Sequence, residues 1–460
     1  MQSCTISQRP GRRPGLARRA IPAAFFILFG ALFHAHAAEP GLLSYEEART
    51  TLYEVSDSRK ASAAAVARNQ DEARAAKTLG LPDLSVNAIE VFGEKTGTLD
   101  NTPLGSISFR DNLRGPRSSV NSTWAIYSGG RISATQKALA AGVEAANAEL
   151  SHTEEDLDVL LAKEYFGLVL ATNVERTRTS VLEQAERQLD RAIHFEQQGL
   201  IPRVERLSAQ VSRDEAAREK VSAQRDREIA EASLRRLLHR DGVVGTSTPL
   251  FISTQPLKPL AEWLRLAKSA SPTLAVLAAR RDQAEQGIAL EQARWKPEIF
   301  AFGTYSLIKK YQTLIEPDWI AGVGVSFKLF SREDRASKVS SARATLRQAE
   351  SLEAAADTGI ATAVEAAYRR VEQALEQFKL LDSTLALADE NLHLRERGFG
   401  EGQATSLDVS DARNALARSQ TARAVAAYDY VIALVQLLQA SGQTKTFPEF
   451  IQQADITLTL

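Results

Sequence analysis

Between residues 117 and 127 apolar and polar positions alternate. Val120, Ser122, Trp124 and Ile126 fall on one side and Ser119, Asn121, Thr123 and Tyr127 on the other. A period of two predicts a strand with one greasier and one wetter face. At Ser128-Gly129-Gly130-Arg131 the period changes, and no proline occurs between Pro116 and Pro202. Ala, Leu, Glu, Gln and Arg dominate the stretch after Arg131, all good helix formers. The pattern predicts one helix over 131–198, about 100 Å long at 1.5 Å per residue. Gly199-Leu200-Ile201-Pro202 should end it, with glycine suiting a C-cap and proline the first turn of the next helix.

The pattern then recurs. Trp124-Ala125-Ile126-Tyr127-Ser128 corresponds to Phe327-Lys328-Leu329-Phe330-Ser331, 203 residues on. At that offset Gly199 matches Gly402, and Val204-Glu205 matches Leu407-Asp408. Upstream, Leu81-Pro82-Asp83-Leu84 resembles Lys296-Pro297-Glu298-Ile299 at an offset of 215. The first copy therefore carries twelve extra residues between its two strands, which are expected to form a loop. Each copy reads as helix, strand, strand, long helix, reversal, helix. In the first, these are a leading helix over 45–80, a strand over 84–92, a Gly/Asn/Pro-rich loop over 93–116, and then the strand and long helix over 117–198. In the second, a leading helix covers 260–295, with a break expected at Ser271-Pro272, and strands cover 299–307 and 319–330.

The last strand alternates cleanly: Trp319, Ala321, Val323, Val325, Phe327 and Leu329 oppose Gly322, Gly324, Ser326 and Lys328. The second long helix, 331–397, carries a seam at Val364, Ala367, Val371, Ala374, Phe378, Leu381, Leu385, Ala388 and Leu392. Its spacing of three and four calls for supercoiling against neighbouring helices. Leu375, Leu380 and Leu387 add apolar surface off that seam, as in a helix with neighbours on two sides. The organisation is then a leader over 1–37, a first repeat over 38–240, a linker over 241–259, a second repeat over 260–442 and a nonhelical tail over 443–460.

Composition narrows the class. Arg9, Arg12, Arg13, Arg18 and Arg19 precede an apolar run from Ala20 to Phe33, and Ala35-His36-Ala37 offers a cleavage site. That is an export signal. Its removal takes five arginines and no acid, so the net charge moves from −1 to −6 and a general nucleic-acid binder is disfavoured. Cys4, the only cysteine, leaves with the signal, so neither a disulfide nor a lipidated N-terminal cysteine is expected. No later segment has 18 consecutive apolar residues, so no transmembrane helix is expected. Apolar-out, polar-in strands in an exported chain favour a membrane β-barrel over a soluble half-buried sheet.

The order of these elements resembles the TolC-type outer-membrane efflux family over essentially the whole mature chain. The most specific stretch is Gly402-Gln403-Ala404-Thr405-Ser406-Leu407-Asp408-Val409-Ser410-Asp411-Ala412. The closing helix over 428–442, with Tyr430, Leu434, Leu438 and Gly442, fits too. The resemblance implies an α+β membrane protein and a homotrimer. In it, four strands per chain complete a twelve-stranded outer-membrane barrel, continued through the periplasm by a helical coiled-coil barrel. Four strands alone would leave raw edges in lipid.

Three sites emerge. Thr405-Ser406-Leu407-Asp408 can be an ordinary capping box, whereas Asp411 lies one turn deeper on the same face. The resemblance implies that acids at Asp408 and Asp411 ring the periplasmic pore entrance. Glu205, the counterpart of Asp408, reads as first-turn dipole stabilisation. The reversals, with Gly199, Leu200, Gly402 and Gln403, are implied to meet a periplasmic adaptor protein. The family's arginine and tyrosine that tie inner to outer helices are replaced by Ala404 and Phe399, with Arg397 or Arg203 as substitutes. Finally, the loops 93–116 and 308–318 should face outside the cell, with Phe109, Arg110 and Arg114 contacting lipid headgroups or, the favoured reading, nothing specific.

His152, His194, His239 and His393 are scattered on helices and read as solvated or packing residues. Neither a metal-ligand cluster, a nucleophile motif nor a phosphate loop occurs, so no enzyme, metal or cofactor is expected. The chain reads as a passive exit duct working with an adaptor and an inner-membrane pump, for small molecules or ions. A type I protein-secretion channel and a structural coiled-coil envelope protein are the alternatives.

Overall fold

The structure is a computed structural model describing residues 42–103, 105–310, 312 and 316–458. The export-signal reading of residues 1–37 lies outside these. In chain order the elements are β1 (Leu42–Leu43), α1 (Tyr45–Val55), α2 (Asp57–Lys77), β2 (Asp83–Thr102), β3 (Gly105–Tyr127), α3 (Arg131–Gln197) and α4 (Arg203–Leu237). Next come β4 (Gly245–Thr246), β5 (Leu250–Ile252), α5 (Leu260–Ala270), α6 (Pro272–Ala293), β6 (Glu298–Ser306) and β7 (Trp319–Ser326). The chain ends with α7 (Arg335–Gly400), α8 (Ser406–Ala440), α9 (Phe447–Gln452) and β8 (Ile456–Leu458).

The repeat is visible in the matched helices. α4 and α8 have 35 residues each and start 203 apart, while α1 and α5 have 11 each and start 215 apart. The break expected at Ser271 is present, and a second break, not expected, splits the first leading helix at Ser56. Ser56 is the counterpart of Ser271, and its hydroxyl accepts from the Arg59 backbone N–H, starting α2 there.

Four antiparallel strands form one sheet in the order β2-β3-β6-β7, leaving β2 and β7 as free edges. The expected loop over 93–116 is not a loop. It is strand on both sides, so that β2 and β3 form a ribbon of 20 and 23 residues against 9 and 8 for β6 and β7. Pro116 sits within β3 because β6 pairs only with residues 119–127, so no third strand needs its missing N–H. In the second repeat the strand ends at Ser326, not 330, and the helix starts at Arg335, not 331. The first repeat turns on Gly129 and Gly130, both at positive φ. Their counterparts Arg332 and Glu333 cannot do this cheaply, and the chain bridges irregularly, leaving Leu329 and Phe330 87% and 89% exposed.

α3, with 67 residues, spans ~100 Å. Along α7 the predicted seam is buried at Val364, Ala367, Val371, Ala374, Phe378 and Leu392, and half-buried at Leu381, Leu385 and Ala388. α8 is long and apolar enough by composition to cross a bilayer. Val431, Leu434, Val435, Leu437 and Leu438 are nevertheless buried in the protein core.

The segment over 241–259 is more than a spacer. β4 pairs in parallel with β1, and β5 pairs with β8, so the middle of the chain is stitched to both ends. The tail expected to be nonhelical contains α9 as well as β8. Around β5, Phe251 packs among Phe166, Tyr430 and Phe447, with ring centroids 5.9–6.5 Å away. Arg49 grips Asp158 through two hydrogen bonds of 2.7 and 2.8 Å, and the Tyr53 hydroxyl adds a third of 2.9 Å.

Candidate functional site

The sheet presents two chemically different faces. Val86, Val120, Tyr305 and Trp319 form one cross-strand row, and Trp124, Ala301 and Val323 form another on the same face. Leu84, Val86, Trp124, Tyr305, Trp319, Val323 and Val325 on that face are all exposed. The opposite face holds Ser85, Asn121 and Thr304 in one row, with the Thr304 hydroxyl donating to Asn121 at 3.0 Å. A bulge between Ala125 and Tyr127 sets Tyr127 opposite Ile299, so Tyr127 belongs to the apolar face, not the polar side expected from alternation. On the polar face Phe300 and Phe302 lie over Gly324 and Gly322, where a Cβ would come within 2.5 and 3.1 Å of the rings. An exposed apolar face with aromatic residues, backed by a polar face, suits lipid on one side and water on the other.

At the far end of the helices both reversals have the same geometry. Gly199 and Gly402 take φ of 73° and 74°. The Leu200 and Gln403 N–H groups donate back to Phe195 and Gly398 at 2.9 and 2.7 Å, a pairing that satisfies the last carbonyls of a helix. Pro202 is the N-cap of α4, one residue before the first turn in which it was expected. Gly199, Leu200, Gly402 and Gln403 are all exposed at these tips.

Asp408 forms the capping box. Its Oδ2 accepts from the Thr405 N–H at 2.9 Å and the Thr405 hydroxyl at 2.7 Å, while Thr405 Oγ1 accepts from the Asp408 N–H at 3.1 Å. The Thr405 backbone and hydroxyl bonds hold its carboxyl below the ordinary aspartate range, helped by Arg395 at 3.7 Å. Asp411, one turn on, is exposed and has no side-chain partner among the described residues.

Glu205 lies in the first turn of α4, as expected, and makes a contact the sequence did not show. Its carboxylate accepts the Ser406 backbone N–H at 2.8 Å, so an acid of α4 caps α8 and ties one reversal to the other. Only the pairing of the two tips reveals this. The expected substitutes for the missing inter-helix tie are corrected. Arg397 and Arg203 form no side-chain hydrogen bond or ion pair among the described residues. Phe399 is buried and stacks on Phe195 at 6.0 Å instead, and Ala404 packs beside it.

A polar tie is supplied by Arg413, which sequence reasoning missed. It is 3% exposed and joins three helices, donating to Gln184 of α3 at 3.2 Å and to Glu396 of α7 at 3.4 Å. Burial lowers its pKa, and Glu396 opposes that shift. A lone arginine inside the apolar run Val409, Ala412, Leu416, Ala417 was the available signal. A cavity of about 570 Å³ opens beside it, lined by Arg187, Asp190, Arg191, Asp389, His393 and Glu396. Its charges are mixed in sign and select no ligand class. At the hairpin end, Arg110 pairs with Glu94 and Arg114 lies over Phe92 at 5.9 Å, so both have partners within the ribbon. The Phe109 side chain lies outside the described residues.

These two ends, a lipid-suited sheet and a bundle of paired helical tips, define the class: a membrane-anchored chain that carries long helices away from the bilayer. The outer membrane efflux protein family model matches residues 56–239 and 263–443, and the chain belongs to that family. Its sheet is therefore set in the outer membrane and its helices in the periplasm. The chain is 29% identical over 155 residues to outer membrane protein TolC of Vibrio cholerae serotype O1. That match covers 34% of this chain and about a third (35%) of that relative. The fold is similar to that of the Campylobacter jejuni CmeC outer membrane channel, with a TM-score of 0.72, 14% identity and 90% of each chain covered. It is also similar to that of VceC from Vibrio cholerae, with a TM-score of 0.71, 15% identity, and 87% of this chain and 96% of that one covered.

Proposed function

We propose that three copies of this chain form a passive exit duct through the outer membrane, fed from the periplasm by an adaptor protein and an energised inner-membrane pump. The observation that carries this reading is the sheet. Four strands with an exposed apolar face and two unpaired edges cannot stand in lipid alone. Joining β7 of one copy to β2 of the next closes the sheet over the length of the shorter strands, and three copies give twelve strands. The helices that continue from the strands then enclose the route below. Conduction needs no chemistry from the wall, which suits small molecules or ions selected by the pump.

In this reading the exposed tips at Gly199, Leu200, Gly402 and Gln403 receive the adaptor. Asp411 supplies the free carboxylate of the entrance, and Asp408 divides its carboxylate between the helix cap and the opening. Amine-reactive cross-linking of detergent-extracted outer membranes tests the assembly. A ladder ending at three chains is expected; a stable monomer with full strand content contradicts it.

A further inference from the structure

The internal repeat turns every contact between the two halves of one chain into a template for contact between copies. Inside the chain, α3 of the first repeat lies against α8 of the second. Val181 and Ala185 pack on Ala417, and Gln184 bonds Arg413. Nearby, Thr177 of α3 and Ala424 of α8 line one small cavity with Arg176, Gln420 and Arg423. This joint is mixed: apolar at Val181, Ala185 and Ala417, polar at Gln184 and Arg413.

Advancing α3 by 203 residues gives α7, and stepping α8 back by 203 gives α4. Thr177, Gln184 and Arg191 become Leu380, Leu387 and Leu394, while Ser410, Asn414 and Ala424 become Leu207, Val211 and Val221. All six replacements are apolar, and all six are exposed in the single chain. Leu380, Leu387 and Leu394 are 72%, 70% and 55% exposed. Leu207, Val211 and Val221 are 43%, 59% and 55% exposed. The leucines are seven apart, which holds them on one side of a supercoiled helix. They lie off the α7–α8 seam, so nothing in their own chain covers them.

We infer that this leucine stripe of α7 packs against Leu207, Val211 and Val221 on α4 of the next copy, with Leu380 near Val221 and Leu394 near Leu207. The occupant is a second copy because the repeat supplies both the surface and its partner. The joint between copies then carries six apolar side chains where the joint within each chain has Thr177, Gln184, Arg191, Ser410, Asn414 and Ala424. This rests on the three-copy reading and adds the residues that make the seam.

The chain lacks cysteine after Cys4, so thiols can be placed freely in a Cys4→Ser background. Leu380→Cys with Val221→Cys, treated with a short bis-maleimide in intact membranes, should shift to the mass of three linked chains. Each single variant should stay at one. Leu394→Cys with Leu207→Cys, at the other end of the stripe, should behave likewise. Thr177→Cys with Ala424→Cys should lose its free thiols without changing mass. If amine-reactive cross-linking gives a trimer while both inter-copy pairs keep free thiols, the seam is wrong and the duct stands. If no trimer forms at all, both are wrong.

Discussion

Four acids show how little a residue's identity says about its task. Asp408 and Glu205 are counterparts in the repeat, yet one caps its own helix and the other caps its counterpart's helix. Their neighbour Asp411 has no side-chain partner among the described residues. Glu155, in the middle of α3, is buried and has its pKa raised to about 8, first by burial and then by repulsion from Asp158 and Asp156. Because its pKa is higher folded than unfolded, the folded state holds a proton the unfolded state has lost between about pH 4.5 and 8. Stability contributed at this site therefore falls as pH rises through that window. Glu155→Gln should raise the melting temperature at pH 8 and leave it nearly unchanged at pH 4.5. Equal shifts at both pH values would mean that Glu155 is not held neutral. The opposite sign applies to Asp408, whose lowered pKa supports the helix start at neutral pH and is lost only as pH falls below the ordinary carboxylate range.

Among the elements, those with a strong period were legible and those set by partners were not. The long helices, both reversals and the α7 seam come from helix formers, a glycine and a 3.5-residue repeat, all of which are local. The ribbon over 93–116 was hidden because glycine, asparagine and proline signal loops, while a free strand edge tolerates them. The break at Ser56 was hidden because no proline comes after it, unlike Ser271. Glu205 and Arg413 were hidden because their partners lie about 200 residues away or on other helices. At the tips, Gly402 holds a φ of 74° with nothing near its missing side chain. Gly402→Val thus meets no clash but adds backbone strain, roughly 1–2 kcal/mol for a left-handed residue. That strain should reshape the tip locally, so export should fall while the yield of trimer in the membrane stays near normal. Unimpaired export by this variant would remove the Gly402 reversal from the adaptor surface.

For the whole molecule, the sheet at one end and the tips at the other belong to a single route only if copies enclose a common opening. A structural coiled-coil protein of the envelope has no use for the four-stranded sheet with its exposed Trp124, Trp319, Val323 and Val325. If Asp408 and Asp411 face inward, three copies gather up to six carboxylates at the narrow end. Such a ring favours cations and binds multivalent ones tightly enough to obstruct passage. Asparagine at 408 retains much of the helix-start chemistry, so the double variant should still assemble. The most direct test is planar-bilayer recording of the purified trimer beside Asp408→Asn/Asp411→Asn. The wild type should conduct, prefer cations and be blocked by trivalent cations added on the helical side, and the double variant should lose the block and much of the preference. A trimer that does not conduct contradicts the duct. A double variant that conducts and blocks like the wild type removes Asp408 and Asp411 from its entrance.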